Sequence, residues 1–154
     1  MTKNLNILDM CAAPGGKAFQ VLSNNKAVLN DINIDRISKL KNNLSRLKFK
    51  PKILNLDGLD FDESQKFDMV ILDAPCSSIG TIRRHPEIFF KSKYPDFASL
   101  NKLQKSLLEK SSRLIKNKGK IVYMVCSFFY SETIGIIENF LKKNKNFSVE
   151  RYSP

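Results

Sequence analysis

The sequence predicts a three-layer α/β fold on a mostly parallel sheet. Three observations carry this expectation. Short continuous apolar runs alternate with amphipathic stretches about five times along 154 residues. The runs lack the in-and-out alternation of a strand with one wet face, so they suit strands buried on both faces. Each ends on a polar residue, in chain order Asp9, Asp31, Asp57, Asp73 and Cys126. Right-handed crossovers follow for such an arrangement.

The first run, from Leu5 to Met10, passes at once into Cys11-Ala12-Ala13-Pro14-Gly15-Gly16-Lys17, which reads as strand, tight loop, helix. Lys26 to Asn30 is a second strand. The stretch from Asn33 to Leu47 follows as a helix, because Ile34, Ile37, Leu40, Leu44 and Leu47 recur at threes and fours. Strands are predicted at Lys52 to Leu56 and at Phe67 to Leu72. Residues Ala74 to Pro95 contain Pro75, Gly80, Pro86 and Pro95, too much punctuation for one long helix, and read as an ordered functional loop. Helix returns from Phe97 to Ile115. After Gly119 come a strand from Lys120 to Val125, a helix from Ser131 to Lys142 and a short strand at Phe147 to Glu150.

Length and composition bound the function. At 42% hydrophobic residues the chain can build a core, and its size is that of one domain. Lys and Arg exceed Asp and Glu by 26 − 15 = 11, a field that favours polyanions. No apolar stretch is long enough to span a bilayer, so no membrane partner is expected. Cys11, Cys76 and Cys126 cannot form a closed disulfide framework and read as free thiols of a reducing cytoplasm. They lack a Cys-x-x-Cys pair, and with His85 they are not expected to bind metal.

Ligands of open parallel sheets bind beyond the carboxyl ends of the strands. The small residues of the 11–17 loop permit close backbone approach, the next helix terminus offers N–H groups, and Asp31 is placed to grip a ribose diol. That plan suits any adenosine-bearing cofactor, so NAD and S-adenosyl-L-methionine compete. Pro14-Gly15-Gly16 is not the Gly-x-Gly-x-x-Gly of dinucleotide binding, and there is no phosphate-binding Gly-x-x-x-x-Gly-Lys. Asp73-Ala74-Pro75-Cys76 adds a carboxylate and a thiol on one proline-stiffened loop, and Cys126 ends the next strand.

Three strings then resemble the RNA cytosine-C5 methyltransferases of the Sun family, in particular its bacterial branch acting on 16S ribosomal RNA. They are Leu8-Asp9-Met10-Cys11-Ala12-Ala13-Pro14-Gly15-Gly16-Lys17, Asp73-Ala74-Pro75-Cys76-Ser77, and Gly80-Thr81-Ile82-Arg83-Arg84-His85-Pro86-Glu87. Leu103-Gln104 with Leu107-Leu108, and Val122-Tyr123 running into Cys126-Ser127 and Glu132, fit the same order. The resemblance implies a Rossmann-like methyltransferase fold and S-adenosyl-L-methionine as cofactor. It places Cys11 to Lys17 around the methionine end of that cofactor, Asp31 on the ribose, Asp57 near the adenine and Asp73 at the cytosine edge. It makes Cys126 the nucleophile and Cys76 the residue that permits product release, although the Pro75-Cys76 pair also resembles the attacking Pro-Cys of DNA cytosine-C5 methyltransferases. Arg36, Arg83, Arg84 and His85 are the expected RNA contacts. Lys17 is expected to pair with Asp9 or Asp73, or to sit near the cofactor carboxylate.

The chain departs from the family at Val125, where Thr is usual. It departs again at Tyr130-Ser131-Glu132-Thr133, where Pro and then Glu-Glu-Asn are usual, leaving Glu132 to anchor the loop. The first strand begins within five residues of Met1, where the family carries an RNA-binding region and a helical cover. Residues 1–154 are therefore expected to be a catalytic domain truncated at both ends and lacking part of the C-terminal hairpin. A cofactor- and RNA-binding module without turnover is the alternative in a non-enzyme class.

Overall fold

Five parallel strands form one sheet in a computed structural model that describes residues 4–90 and 95–150. The strands are β1 (Asn6–Asp9), β2 (Lys26–Asn30), β3 (Lys52–Leu54), β4 (Phe67–Asp73) and β5 (Ile115–Met124). They lie in the order β3-β2-β1-β4-β5, so β1 is central and the strand order reverses beside it. The register sets Asp9 beside Leu29 and Ile71, and Asp73 beside Met124.

The helices are α1 (Ala18–Leu22), α2 (Ile34–Arg46), α3 (Phe97–Leu114) and α4 (Ile134–Lys143). The chain divides into two compact units, Met1–Pro75 with Ser106–Met124, and Cys76–Lys105 with Val125–Pro154.

The first unit holds the sheet. Side chains alternate across a strand, so Ile7, Ala27, Leu29 and Ile71 share one face, packed with Ala18 of α1 and with Leu40 and Leu44 of α2. Leu8, Val70 and Leu72 point the other way and are equally buried. Met10 approaches the C-terminal half of α3, with the Ser111 hydroxyl 3.8 Å from its sulfur. Helix α2 is set by its sequence at both ends. The Asn33 side chain accepts from the Arg36 N–H at 2.9 Å, Asp35 lies in the first turn and Arg46 in the last. Ile37, Leu40 and Leu44 are buried, and each adds about 1.5–3 kcal/mol of transfer free energy. The flanking Ile34 and Leu47, expected on the same apolar face, are 61% and 37% exposed because they fall at the helix ends.

The expected strand Lys120–Val125 starts earlier, at Ile115, directly after α3. Ile115 pairs with Phe67 before the register jumps to Met69 with Lys120. The excursion includes Lys118 at φ +63°, and Lys116 pairs with Asp68 at 2.9 Å. Gly119 thus lies inside β5 rather than before it.

The second unit carries two 3-10 turns, Ile79–Thr81 and Pro86–Phe90, within the expected loop, of which residues 91–94 lie outside the described residues. Its last helix begins three residues later than expected, because Tyr130–Glu132 forms a separate 3-10 turn that brings the Glu132 side chain inside. The expected strand at Phe147–Glu150 is absent. Phe147 closes a turn on the Asn144 carbonyl at 3.1 Å and sets its ring edge-on to Phe140, 5.2 Å between centroids.

Candidate active site

The carboxyl edge of the sheet gathers the acids predicted from the strand ends. Asp9 is 1% exposed, and neither carboxyl oxygen accepts a well-formed hydrogen bond among the described residues. Burial, and then the charge of Asp73, push its pKa up to about 7 against the opposing pull of the Cys11 N–H and Lys17. Lys17 pairs instead with Asp73.

Asp31 is 2% exposed and braces the first loop. One oxygen accepts from the Ala13 N–H at 3.2 Å, the other from the Asn33 N–H at 3.0 Å. Arg36 lies 3.7 Å from the same carboxylate and donates to the Ala13 carbonyl, which places this predicted RNA contact on the glycine-rich loop. Asp57 caps the 3-10 turn Gly58–Asp60 by accepting from the Leu59 N–H at 2.9 Å. The buried Asn30 side chain donates to the Met10 and Leu56 carbonyls and accepts from the Leu56 N–H, tying the ends of β1 and β3 together.

In the 11–17 loop, Gly15 has φ +114° and a Cβ there would strike the Phe19 ring at 2.0 Å, so only glycine fits. A Cβ on Gly16 would meet nothing within 4 Å. The helix expected after this loop is α1, five residues long. Burial, with Asp31 and Asp9 nearby, pushes the Cys11 thiol up to about 12, so it stays protonated and fills space.

In the second unit, Cys76 follows β4 by three residues and Cys126 follows β5 by two. Their sulfurs are 3.2 Å apart. Cys126 is exposed and Cys76 only partly so. Burial, and then the hydrogen bond with Cys126, push Cys76 up to about 11. Cys76 therefore keeps its proton and can direct it at the Cys126 sulfur. The Cys126 loop is fixed further by the Gly80 N–H on the Cys126 carbonyl at 3.0 Å and by Ser78, 3.4 Å from the sulfur. Arg83, Arg84 and His85 are exposed on the adjoining turn, with His85 3.0 Å from Glu87. Among the described residues no group of His, Cys, Asp or Glu could hold a metal ion, and no helix is long and apolar enough to cross a membrane.

A family profile described as 16S rRNA methyltransferase RsmB/F matches residues 1–153. The chain belongs to this family. The RsmB/F assignment agrees with individual relatives. Ribosomal RNA small subunit methyltransferase B of Photorhabdus laumondii is 39% identical over 146 residues, 91% of this chain and 34% of that protein. The crystal structure of NSun6 from Pyrococcus horikoshii with SFG superposes with a TM-score of 0.80 at 25% identity, covering 90% of this chain and 37% of that one. A methyltransferase homolog protein from the same organism gives 0.77 at 30% identity, covering 93% and 46%. The fold is the Rossmann-like fold of S-adenosylmethionine-dependent methyltransferases. The chain spans about a third of the length of the curated relatives it matches.

Within this RsmB/F chain, the structure brings together two sets of predicted residues: Asp9, Lys17, Asp31 and Asp73 in one unit, Cys76 and Cys126 in the other. Sequence reasoning missed Asn30, Ser77, Ser78 and Ser127. Their type gives no signal, since small polar residues after a strand are common. The repetition of Cys-Ser at 76–77 and 126–127 marks Ser77 and Ser127, and nothing in the sequence marks Asn30 or Ser78.

Proposed function

We propose that residues 1–154 are the catalytic domain of an RNA cytosine-C5 methyltransferase. It takes S-adenosyl-L-methionine as donor and cytosine in 16S ribosomal RNA as acceptor. The 3.2 Å Cys76–Cys126 sulfur pair carries this reading, because one base-modifying step needs a thiol that attacks and another that manages a proton. The free thiols suit a reducing cytoplasm.

The residues of the first unit fit the cofactor. Asp9 presents a buried carboxyl in want of a counter-charge, which an ammonium supplies, and Gly16 leaves room for a close-lying group. Loop 11–17 would hold the methionine end and Asp57 would lie toward the adenine. Asp31 would turn its remaining lone pairs to the ribose hydroxyls. When bound, S-adenosylmethionine supplies an electrophilic methyl group.

Cys126, as thiolate, adds to carbon 6 of the cytosine, and the electrons displaced make carbon 5 nucleophilic. Asp73, placed by Lys17, would meet ring nitrogen 3 and share a proton with it, and that proton offsets the negative charge that builds there as the thiolate adds. After methylation the carbon 5 proton leaves to a base and the Cys126 sulfur is expelled, with Cys76 acting at this release step. A paired cytidine has to leave its stack to be reached. Arg83, Arg84 and His85 contact phosphates.

The direct test is labelled methyl transfer to a cytidine-containing 16S fragment. Incorporation at carbon 5 is expected. Saturable cofactor binding without transfer would favour a binding module, and tighter binding of NAD would favour an oxidoreductase. Asp31→Ala is expected to weaken cofactor binding about tenfold or more, the worth of a charged hydrogen bond, while RNA affinity holds. Equilibrium dialysis beside filter binding reads both, and an unchanged cofactor affinity removes the ribose assignment.

A further inference from the structure

The structure points to Glu132 as the residue that positions the two thiols against each other. This rests on the thiol pair being the reacting pair. Glu132 is 0% exposed and takes up the residue that directly follows each cysteine. One carboxylate oxygen accepts the Ser77 N–H at 2.8 Å and the Gln104 amide at 3.1 Å. The other accepts the Ser77 hydroxyl and the Ser127 hydroxyl, both at 2.5 Å. The two serine oxygens lie 3.3 Å apart.

Loops separated by fifty residues of sequence are thus clasped by one carboxylate, one residue beyond Cys76 and one beyond Cys126. A second hold comes from the backbone. The Phe129 N–H binds the Ser127 hydroxyl at 3.2 Å, and the Glu132 N–H closes its turn on the Phe129 carbonyl at 3.0 Å, so the carboxylate cannot drift from the loop it grips. Burial opposes ionisation of Glu132, but the bonds from Ser127, Ser77 and Gln104 outweigh it and hold its pKa below the usual value. A charged acceptor bonded to buried donors is a stiff joint, since releasing any donor strands it away from water. Glu132 acts on the sulfurs through Ser77 and Ser127.

The test reads sulfur–sulfur placement directly and needs no RNA. Diamide takes two electrons and two protons from neighbouring thiols, leaving a disulfide and its own reduced hydrazine. The rate of Cys76–Cys126 disulfide formation, followed by peptide mass mapping, reports how well the pair is held. Wild type is expected to form this bond readily. Glu132→Ala is expected to slow it about tenfold or more, the rate equivalent of one lost buried hydrogen bond, with cofactor affinity unchanged. Glu132→Gln keeps the shape and one carbonyl oxygen, so it should recover most of the rate. The double variant Ser77→Ala, Ser127→Ala leaves the carboxylate in place but removes both hydroxyls. It is expected to slow the bond about threefold or more even where Glu132→Ala does not fold. A disulfide rate unchanged in the variants that fold, or one falling only in step with cofactor affinity, overturns the proposal. Should wild type transfer no methyl group while its disulfide rate still depends on Glu132, the methyltransferase reading fails and the positioning role stands.

Discussion

Cys126→Ala leaves no covalent complex when the protein meets 5-fluorocytidine RNA and S-adenosylmethionine, whereas Cys76→Ala holds RNA on the protein. Fluorine at carbon 5 cannot leave as a proton, so a thiol that has added to carbon 6 stays bonded. Wild type therefore runs on denaturing gels as an RNA–protein band. Removing the attacking sulfur should erase that band and cut methyl transfer about 10³-fold or more. Cys76 is the more buried sulfur and holds its proton, which suits it to the later step and not to attack. Its loss should slow release about 100-fold with ordinary cytidine RNA, so adduct accumulates without the fluorine. The mirror pattern, with trapping lost in Cys76→Ala, would assign attack to the Pro-Cys loop.

Asp9→Asn is expected to stabilise the cofactor-free protein at pH 8. The wild-type carboxyl ionises at about 7 when folded, against 3.8 for an unperturbed aspartate. Folding thus favours the protonated form. Stability falls as pH rises from about 4 to 7 and the full penalty remains above that. Ionising the buried group against that shift costs about 4 kcal/mol, of which an isosteric amide returns a part. Urea unfolding at pH 4, 6 and 8 should show a falling midpoint in wild type and a flatter one in Asp9→Asn. Parallel pH profiles would show that Asp9 carries no such strain. Adding S-adenosylmethionine should restore wild type at pH 8 more than the variant, because a cationic ammonium rewards the ionised carboxyl.

Much of this was legible in the residues. Helix α2 could be read almost to its ends, since Asn33 caps it and its three buried leucine and isoleucine positions recur at helical spacing. Strand β2 runs from Lys26 to Asn30 as its apolar run suggested. Strand β5 was harder. Its first residue lies before a lysine-rich excursion that reads as a turn, and only the pairing of Ile115 with Phe67 reveals it. Near the end, Phe147-Ser148-Val149-Glu150 has strand-like alternation, yet Phe147 spends its ring on Phe140.

At the site, the acids of the first unit followed from a rule about strand ends. Their condition did not. Asp31 proves to be a brace with both oxygens engaged, and Asp9 a buried acid with neither. The pairing of Cys76 with Cys126 spans fifty residues, so no local pattern encodes it; their places at sequential strand ends suggested it, and family resemblance supplied their roles. Glu132 was expected to anchor the loop after Cys126, but its hold on Ser77 beside Cys76 was out of reach, because which hydroxyls an acid meets depends on how loops from distant segments return.

The strand order has a consequence for how the chain comes to be. β1 is made first yet sits in the middle, between β2 and a β4 that begins at Phe67, and β4 in turn waits for β5 from Ile115. During translation the growing polypeptide must keep Ile7 and Leu8 from wrong partners until β4, which pairs with them through Met69 and Val70, has left the ribosome. Such late closure of early segments slows assembly and leaves sticky edges open meanwhile. A nascent chain of this topology therefore has reason to lean on chaperones while it is synthesised.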